Sequence, residues 1–186
     1  MTRLILLAAG SARRFGSNKL MFEIDGRPMI AHVLAKLSTL HEKRGWDVTL
    51  VTREGPVAEI AAEYPVDIVI NPDPERGISS SIICALESIC SDTDCAVFFV
   101  ADQPWLTSDT VEGFIDGYLA SGMKCGCVTH EGETGNPCAF SRELFGELMK
   151  LSGDRGGKKV LMQHQDSCWY YEVSNAKELA DIDTRQ

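Results

Sequence analysis

Arg3-Leu4-Ile5-Leu6-Leu7-Ala8-Ala9-Gly10-Ser11-Ala12-Arg13-Arg14-Phe15-Gly16-Ser17-Asn18-Lys19 is an apolar strand that runs directly into a loop of small residues and then into three cations. Glycine and alanine let backbone N–H groups come close to a polyanion such as a triphosphate, and Arg13, Arg14 and Lys19 neutralise charge that the amides do not reach. The stretch therefore reads as a phosphate cradle at the end of a buried strand. It is not a Walker A loop, because five residues separate Gly10 from Gly16 and no Gly-Lys-Ser/Thr follows, and it lacks the G-x-G-x-x-G spacing of dinucleotide folds.

Outward from this stretch, short apolar runs alternate with longer segments of helical period, the pattern of an α/β domain with a mostly parallel sheet. Residues 3–7, 47–52, 67–70, 95–100 and 124–129 read as strands, and 29–40, 57–63, 80–89 and 110–120 as helices. After Thr129 the rhythm loosens into a loop with Gly132, Gly135 and Pro137. A short strand over 138–140, helical stretches over 142–151 and 158–163 and a last strand over 169–173 follow. No linker or repeat divides the chain, so residues 1–186 are expected to form a single domain.

A second chemical motif ends the strand at 95–100. In Val97-Phe98-Phe99-Val100-Ala101-Asp102-Gln103-Pro104 a carboxylate stands at the carboxyl end of a buried strand, where ligands of open α/β sheets collect. Asp102 suits Mg²⁺, which prefers hard oxygen ligands and keeps waters and substrate phosphates in its shell.

Composition narrows the partners. The net charge of −9 over 186 residues disfavours nucleic acid and anionic membranes, so the basic loop opposes the sign of the whole chain. No apolar run is long enough to span a membrane and no signal-peptide pattern opens the chain, so a cytoplasmic location is expected. Seven cysteines without a C-x-x-C pair suggest buried thiols, neither a disulfide framework nor a zinc site. The four histidines are isolated, and none is expected to be catalytic.

Leu7-Ala8-Ala9-Gly10, Arg14, Gly16 and Lys19, followed by Asp102-Gln103-Pro104, resemble the molybdenum-cofactor nucleotidyltransferase family, MobA-like, and most closely its MocA-like cytidylyltransferase branch. Further segments match that resemblance. Glu75-Arg76-Gly77-Ile78-Ser79-Ser80-Ser81 is similar to the loop that reads the base. Gly135-Asn136-Pro137 and Gly153-Asp154-Arg155-Gly156 resemble segments near the second substrate, and Asp181-Ile182-Asp183-Thr184 resembles a C-terminal metal-side motif. Ser11-Ala12 stand in the reverse of the family's common order, and Phe15 replaces a usual methionine.

The resemblance implies a Rossmann-like three-layer nucleotidyltransferase fold of the nucleotide-diphospho-sugar transferase type, with a mostly parallel mixed sheet. It implies that Arg14, Lys19 and Asp102 are catalytic, and that Leu7, Ala8, Ala9, Gly10, Arg14, Gly16, Lys19, Gly77, Ser80 and Ser81 bind nucleotide. Gln103, Pro104, Gly135, Asn136, Pro137, Gly153, Asp154 and Arg155 would bind the acceptor, and Asp102 with Asp183, or Asp181, would hold Mg²⁺. The implied reaction moves CMP from CTP to the phosphate of molybdopterin and releases pyrophosphate, with transient contact to a molybdenum hydroxylase. Ala9, where the guanylyl branch carries glycine, favours CTP over GTP. The open alternatives are GTP with the same acceptor, a sugar or polyol phosphate acceptor, and a non-catalytic carrier of the cofactor.

Overall fold

The computed structural model describes residues 1–10, 18–89 and 91–182. Among the described residues strands and α-helices follow one another as β1 (Thr2–Leu7), β2 (Glu23–Ile24), β3 (Arg27–Pro28), α1 (Met29–Arg44), β4 (Asp47–Thr52), α2 (Pro56–Ala61), β5 (Asp67–Ile70), α3 (Ile78–Ser88), β6 (Cys95–Val100), α4 (Ser108–Ser121), β7 (Cys125–His130), β8 (Glu133–Ser141), α5 (Phe145–Leu148), α6 (Lys158–Gln163) and β9 (Cys168–Glu172). Seven strands form one sheet in the order β5-β4-β1-β6-β8-β7-β9. β5, β4, β1 and β6 run parallel, β8 is antiparallel to both neighbours, and β9 runs parallel to β7.

The inner strands are apolar on both sides because both faces are covered, as parallel strands require, whereas the edge strand β5 leaves Ile68 and Ile70 exposed. On β1, Leu4 and Leu6 join one core with Val33, Leu34, Val57, Phe114 and Ile115 from α1, α2 and α4, while Ile5 faces the opposite core. That second core takes Ile82 and Ala85 from α3 and Leu148, Val160 and Leu161 from α5 and α6. The result is three layers around a mostly parallel mixed sheet.

Several boundaries differ from the sequence reading. The short strand expected over 138–140 extends back to Glu133 and takes in most of the loop expected before it, giving the nine residues of β8, paired with β7 in a hairpin whose register slips between Cys127 and Thr129. Pro137, which has no N–H to give a ladder, falls where the pairing skips, so the strand tolerates the residue that argued against it. The stretch 142–151 shortens to a 3₁₀ turn at Arg142–Leu144 and the single turn of α5. α1 runs on to Arg44 and stops at Gly45, whose left-handed φ of 66° closes the helix on the His41 carbonyl. α4 is capped by the Thr107 hydroxyl, which accepts from Thr110 N; Ser108 and Asp109 lie inside the helix.

Candidate active site

The carboxyl ends of β1, β4, β5 and β6 open on one side of the sheet. There a cavity of about 340 Å³ is walled by Leu7-Ala8-Ala9-Gly10 and Asn18-Lys19-Leu20 on one flank, by Val100-Ala101-Asp102 on another, and by Pro74, Gly77, Ile78, Ser81 and Asp154 opposite. Residues far apart in sequence meet here because parallel connections return each strand to the same edge.

Lys19 and Asp102 form the polar floor. Lys19 Nζ donates to Asp102 Oδ2 at 2.9 Å, with the lysine side chain 12% exposed and the carboxylate 29%. The contact ties the segment after the small-residue loop to the end of β6. Arg14, Gly16 and Asp183, named with them from sequence, lie outside the described residues.

The Ala8–Ala9 turn is held from β4. Ala8 N donates to Val51 O at 2.8 Å. Arg53, just past β4, donates to Ala9 O from Nε at 3.2 Å and Nη2 at 2.8 Å, and lies 3.7 Å from Glu75 Oε1. This arginine was missed in the sequence. Its role depends on a backbone carbonyl 44 residues away, which leaves no local signal.

The base-loop segment is shaped by a close approach. Gly77 has φ +89°, and a Cβ there would lie 2.5 Å from Asp154 Oδ1 and Gly153 C, so no larger residue fits without moving that backbone. Ser79 N donates to Gly153 O at 3.2 Å, which fixes the same approach. Gly153 and Asp154 therefore stand against the base-loop segment, and Asp154 lines the cavity with it. Arg155 is exposed and is not part of the cavity wall.

The two serines differ. Ser80 Oγ donates to Gly77 O at 2.8 Å and accepts from Asn71 Nδ2 at 2.9 Å, so it closes the first turn of α3 and does not line the cavity. The expectation that the Ser80 hydroxyl faces the base is corrected here, because its proton is committed to a backbone carbonyl. Ser81 does line the cavity, and its Oγ accepts from Asn71 Nδ2 at 3.0 Å.

The remaining acceptor candidates gather elsewhere. Gln103 is buried, and its Nε2 donates to Leu179 O at 3.0 Å and Asp181 Oδ1 at 2.9 Å; Ile182 N donates to Asp102 O at 3.2 Å. Gln103 thus spends its amide donors on the C-terminal segment instead of presenting them to a second substrate. A Cβ on Gly135 would meet Leu179 Cδ1 at 3.3 Å, so the strand segment that carries Asn136 and Pro137 approaches the same C-terminal turn. Pro104 O and Leu106 O accept from Lys36 Nζ of α1, the latter at 2.6 Å. Burial lowers the Lys36 amine to about 8, an effect that the nearby Glu178 carboxylate partly offsets. The segment after Asp102 is gripped between α1 and the C-terminal turn, and of the acceptor candidates Asp154 alone lines the cavity.

Among the described residues, no three His, Cys, Asp or Glu side chains are placed to hold a metal between them. A single carboxylate at the strand end, beside a cavity with room for phosphates, fits an ion such as Mg²⁺ that brings most of its shell with its ligand. No helix among the described residues is long and apolar enough to cross a membrane.

A family model described as MobA-like NTP transferase domain matches residues 4–168. The purine catabolism protein PucB of Bacillus subtilis is 26% identical over 205 residues, covering 97% of this chain and 90% of that protein. The bifunctional protein GlmU of Shouchella clausii is 25% identical over 166 residues, and that match takes in 88% of this chain and 34% of its length. The chain thus spans about a third of the length of that relative. The crystal structure of Rv0371c from Mycobacterium tuberculosis H37Rv superposes with a TM-score of 0.82 at 25% identity, covering 98% of this chain and 92% of that one. With the three-layer sheet, the strand-end cavity and a family match that runs from β1 to β9, the chain belongs to the MobA-like NTP transferase domain family and has a nucleotidyltransferase fold of the nucleotide-diphospho-sugar transferase type.

Proposed function

We propose that the chain is a Mg²⁺-dependent nucleotidyltransferase that transfers CMP from CTP to the terminal phosphate of molybdopterin, with release of pyrophosphate. The observation that carries this reading is the Lys19–Asp102 pair at 2.9 Å on the cavity floor. It puts a cation for the triphosphate next to a carboxylate for a hard metal ion, at the mouth of a small-residue loop. Each charge neutralises the other until a ligand supplies better partners.

In this reading an oxygen of the acceptor phosphate attacks the α-phosphorus. The bond from that phosphorus to the oxygen bridging to the β-phosphate breaks, and pyrophosphate leaves with the electron pair. The nucleophile is already an anion, so no general base is required, and positioning and electrostatic stabilisation supply the rate. Lys19 moves from Asp102 toward the phosphates, with Arg14 as its expected partner from the same loop. The Ala9-Gly10 backbone, braced by Arg53, would supply amides, while the Ala8 amide is held by Val51 O. Asp102 would hold Mg²⁺, with Asp183 as the expected second ligand, and the ion would offset charge on the leaving pyrophosphate.

CTP is preferred over GTP because Ala9 brings a methyl into the cavity wall. Steric exclusion by one methyl discriminates by about 1–3 kcal/mol.

The test is pyrophosphate release by the purified chain with Mg²⁺ and either CTP or GTP, each with molybdopterin or with a sugar phosphate. Release that needs CTP, Mg²⁺ and molybdopterin together is the expected result. Turnover with a sugar phosphate instead would reassign the acceptor and keep the chemistry. Pterin binding without pyrophosphate release from any pair would make the chain a carrier.

A further inference from the structure

Asn71, at the end of β5, is 2% exposed, and every polar atom of its side chain is engaged. Its Oδ1 accepts from Asp73 N at 2.9 Å, which fixes the amide's orientation. The Nδ2 group therefore has to donate, and its two protons go to Ser80 Oγ at 2.9 Å and Ser81 Oγ at 3.0 Å. A serine hydroxyl has one proton to give. Ser80 gives its proton to Gly77 O. Ser81 is 5% exposed and lines the cavity, and among the described residues its hydroxyl meets no acceptor. Asn71 takes one of the two lone pairs of Ser81 Oγ and, as an N–H donor, gives its proton nothing to bond on that side. A Ser81 that only accepted from a ligand would leave its own buried proton without a partner, so the hydroxyl is set to donate into the cavity.

We propose that Asn71 is a specificity-determining residue that fixes the hydrogen-bond polarity of the base pocket, so that Ser81 donates to an acceptor atom on the edge of the nucleobase. The inference rests on the reading of the cavity as a nucleotide site and names the atom type that this wall reads. For cytosine the atom is N3 or O2, and the 4-amino group, itself a donor, faces away from Ser81. Asn71 touches no substrate. It acts through Ser81, which by itself would rotate to donate or accept as the ligand required.

The test is calorimetric titration of the full chain, with MgCl₂ present, against CTP, its 3-deaza analogue, in which N3 is replaced by C–H, and its 2-thio analogue, in which O2 is a weakly accepting sulfur. One analogue should bind wild type about fivefold to tenfold more weakly than CTP, the worth of one neutral hydrogen bond. Ser81→Ala should weaken CTP by the same factor and bind that analogue as well as it binds CTP. Asn71→Asp keeps the shape but only accepts, so it draws the Ser81 proton away from the cavity. It should weaken CTP at least as much as Ser81→Ala, and the double variant should lose nothing further.

Should Asn71→Asp fail to fold, as its thermal midpoint without ligand would reveal, the cycle between Ser81→Ala and the analogues decides alone. CTP affinity within about twofold of wild type in Ser81→Ala, or an analogue penalty that persists in that variant, overturns the inference while leaving the nucleotide site in place. Wild type that does not bind CTP at all overturns the nucleotide reading beneath it.

Discussion

The two halves of the sheet handle polar groups in opposite ways. In the parallel half, β5-β4-β1-β6, the strand ends put Lys19, Asp102 and Ser81 on a cavity, held from behind by Arg53, Asn71 and Lys36. In the other half, β7, β8 and β9 bring Cys125, Cys127, Cys138 and Cys168 together on one core face, packed with Phe140. Hydrogen bonds to Cys168 and burial push the thiols of Cys125 and Cys127 upward, and burial pushes Cys138 up to about 12. These three thiols stay neutral and pack as small apolar side chains, while the hydrogen bonds from Cys125 and Cys127 shift the Cys168 thiol downward. A strand end that leaves donors and charges facing space is built for a ligand, whereas strand middles that turn thiols and rings into one core are built for packing.

That contrast predicts where substitutions damage chemistry and where they damage stability. The largest effect should come from Asp102→Asn, which keeps shape and loses the charge. Turnover measured as pyrophosphate release should fall about a thousandfold with the unfolding midpoint little changed. A loss of only a few-fold would remove Asp102 from the metal site. Lys19→Ala should cost about a hundredfold in kcat and weaken triphosphate binding, because the lost cation faces charge that moves in the transition state. Unchanged kinetics would make Lys19 a partner for Asp102 and nothing more.

In the packed half the pattern should invert. Phe140 is fully buried and meets Phe98 edge to face, with ring centres 6.0 Å apart. Phe140→Leu should lower stability by about 1–2 kcal/mol in denaturant melts and leave kcat/KM of the folded protein alone. A kinetic defect there would join the two halves into one functional unit.

Base choice is a finer probe. Ala9→Gly should shift the ratio of kcat/KM for CTP to that for GTP by roughly tenfold toward GTP, a ratio that cancels general damage to the loop. An unmoved ratio would mean that Ala9 does not face the base.

The smallest effect concerns Lys36. Its amine titrates near 8 in the folded chain, against 10.5 as the ordinary value. Between those values the unfolded chain binds a proton that the folded chain does not, so stability should rise with pH across the window. Lys36→Met should abolish that rise, a difference of ~1 kcal/mol after solvent screening, read as the slope of Tm against pH in the two proteins. Parallel slopes would place Lys36 in solvent.

The strands and helices of the parallel half were legible because burial on both faces leaves a continuous apolar run and each helix carries its own period. In the hairpin of β7 and β8 the strands at 124–129 and 138–140 were legible but residues 133–137 were not, since Gly135 and Pro137 speak against a strand locally and only the register slip beside them makes room. Likewise the shortened α5 and the Thr107 cap depend on packing that no window of residues reveals.

By itself the sequence determined the alternation of elements, the small-residue loop with its cations and the carboxylate at the end of β6, because strand ends and glycine-rich turns are local facts. Tertiary structure alone decided that Arg53 braces Ala9, that Gly77 lies against Asp154, that Lys36 grips the Asp102 loop and that Asn71 engages both serines. Most of these contacts join residues dozens of positions apart through single hydrogen bonds or close backbone approaches. No periodicity encodes such pairs, and only closing the chain into three layers brings them within reach.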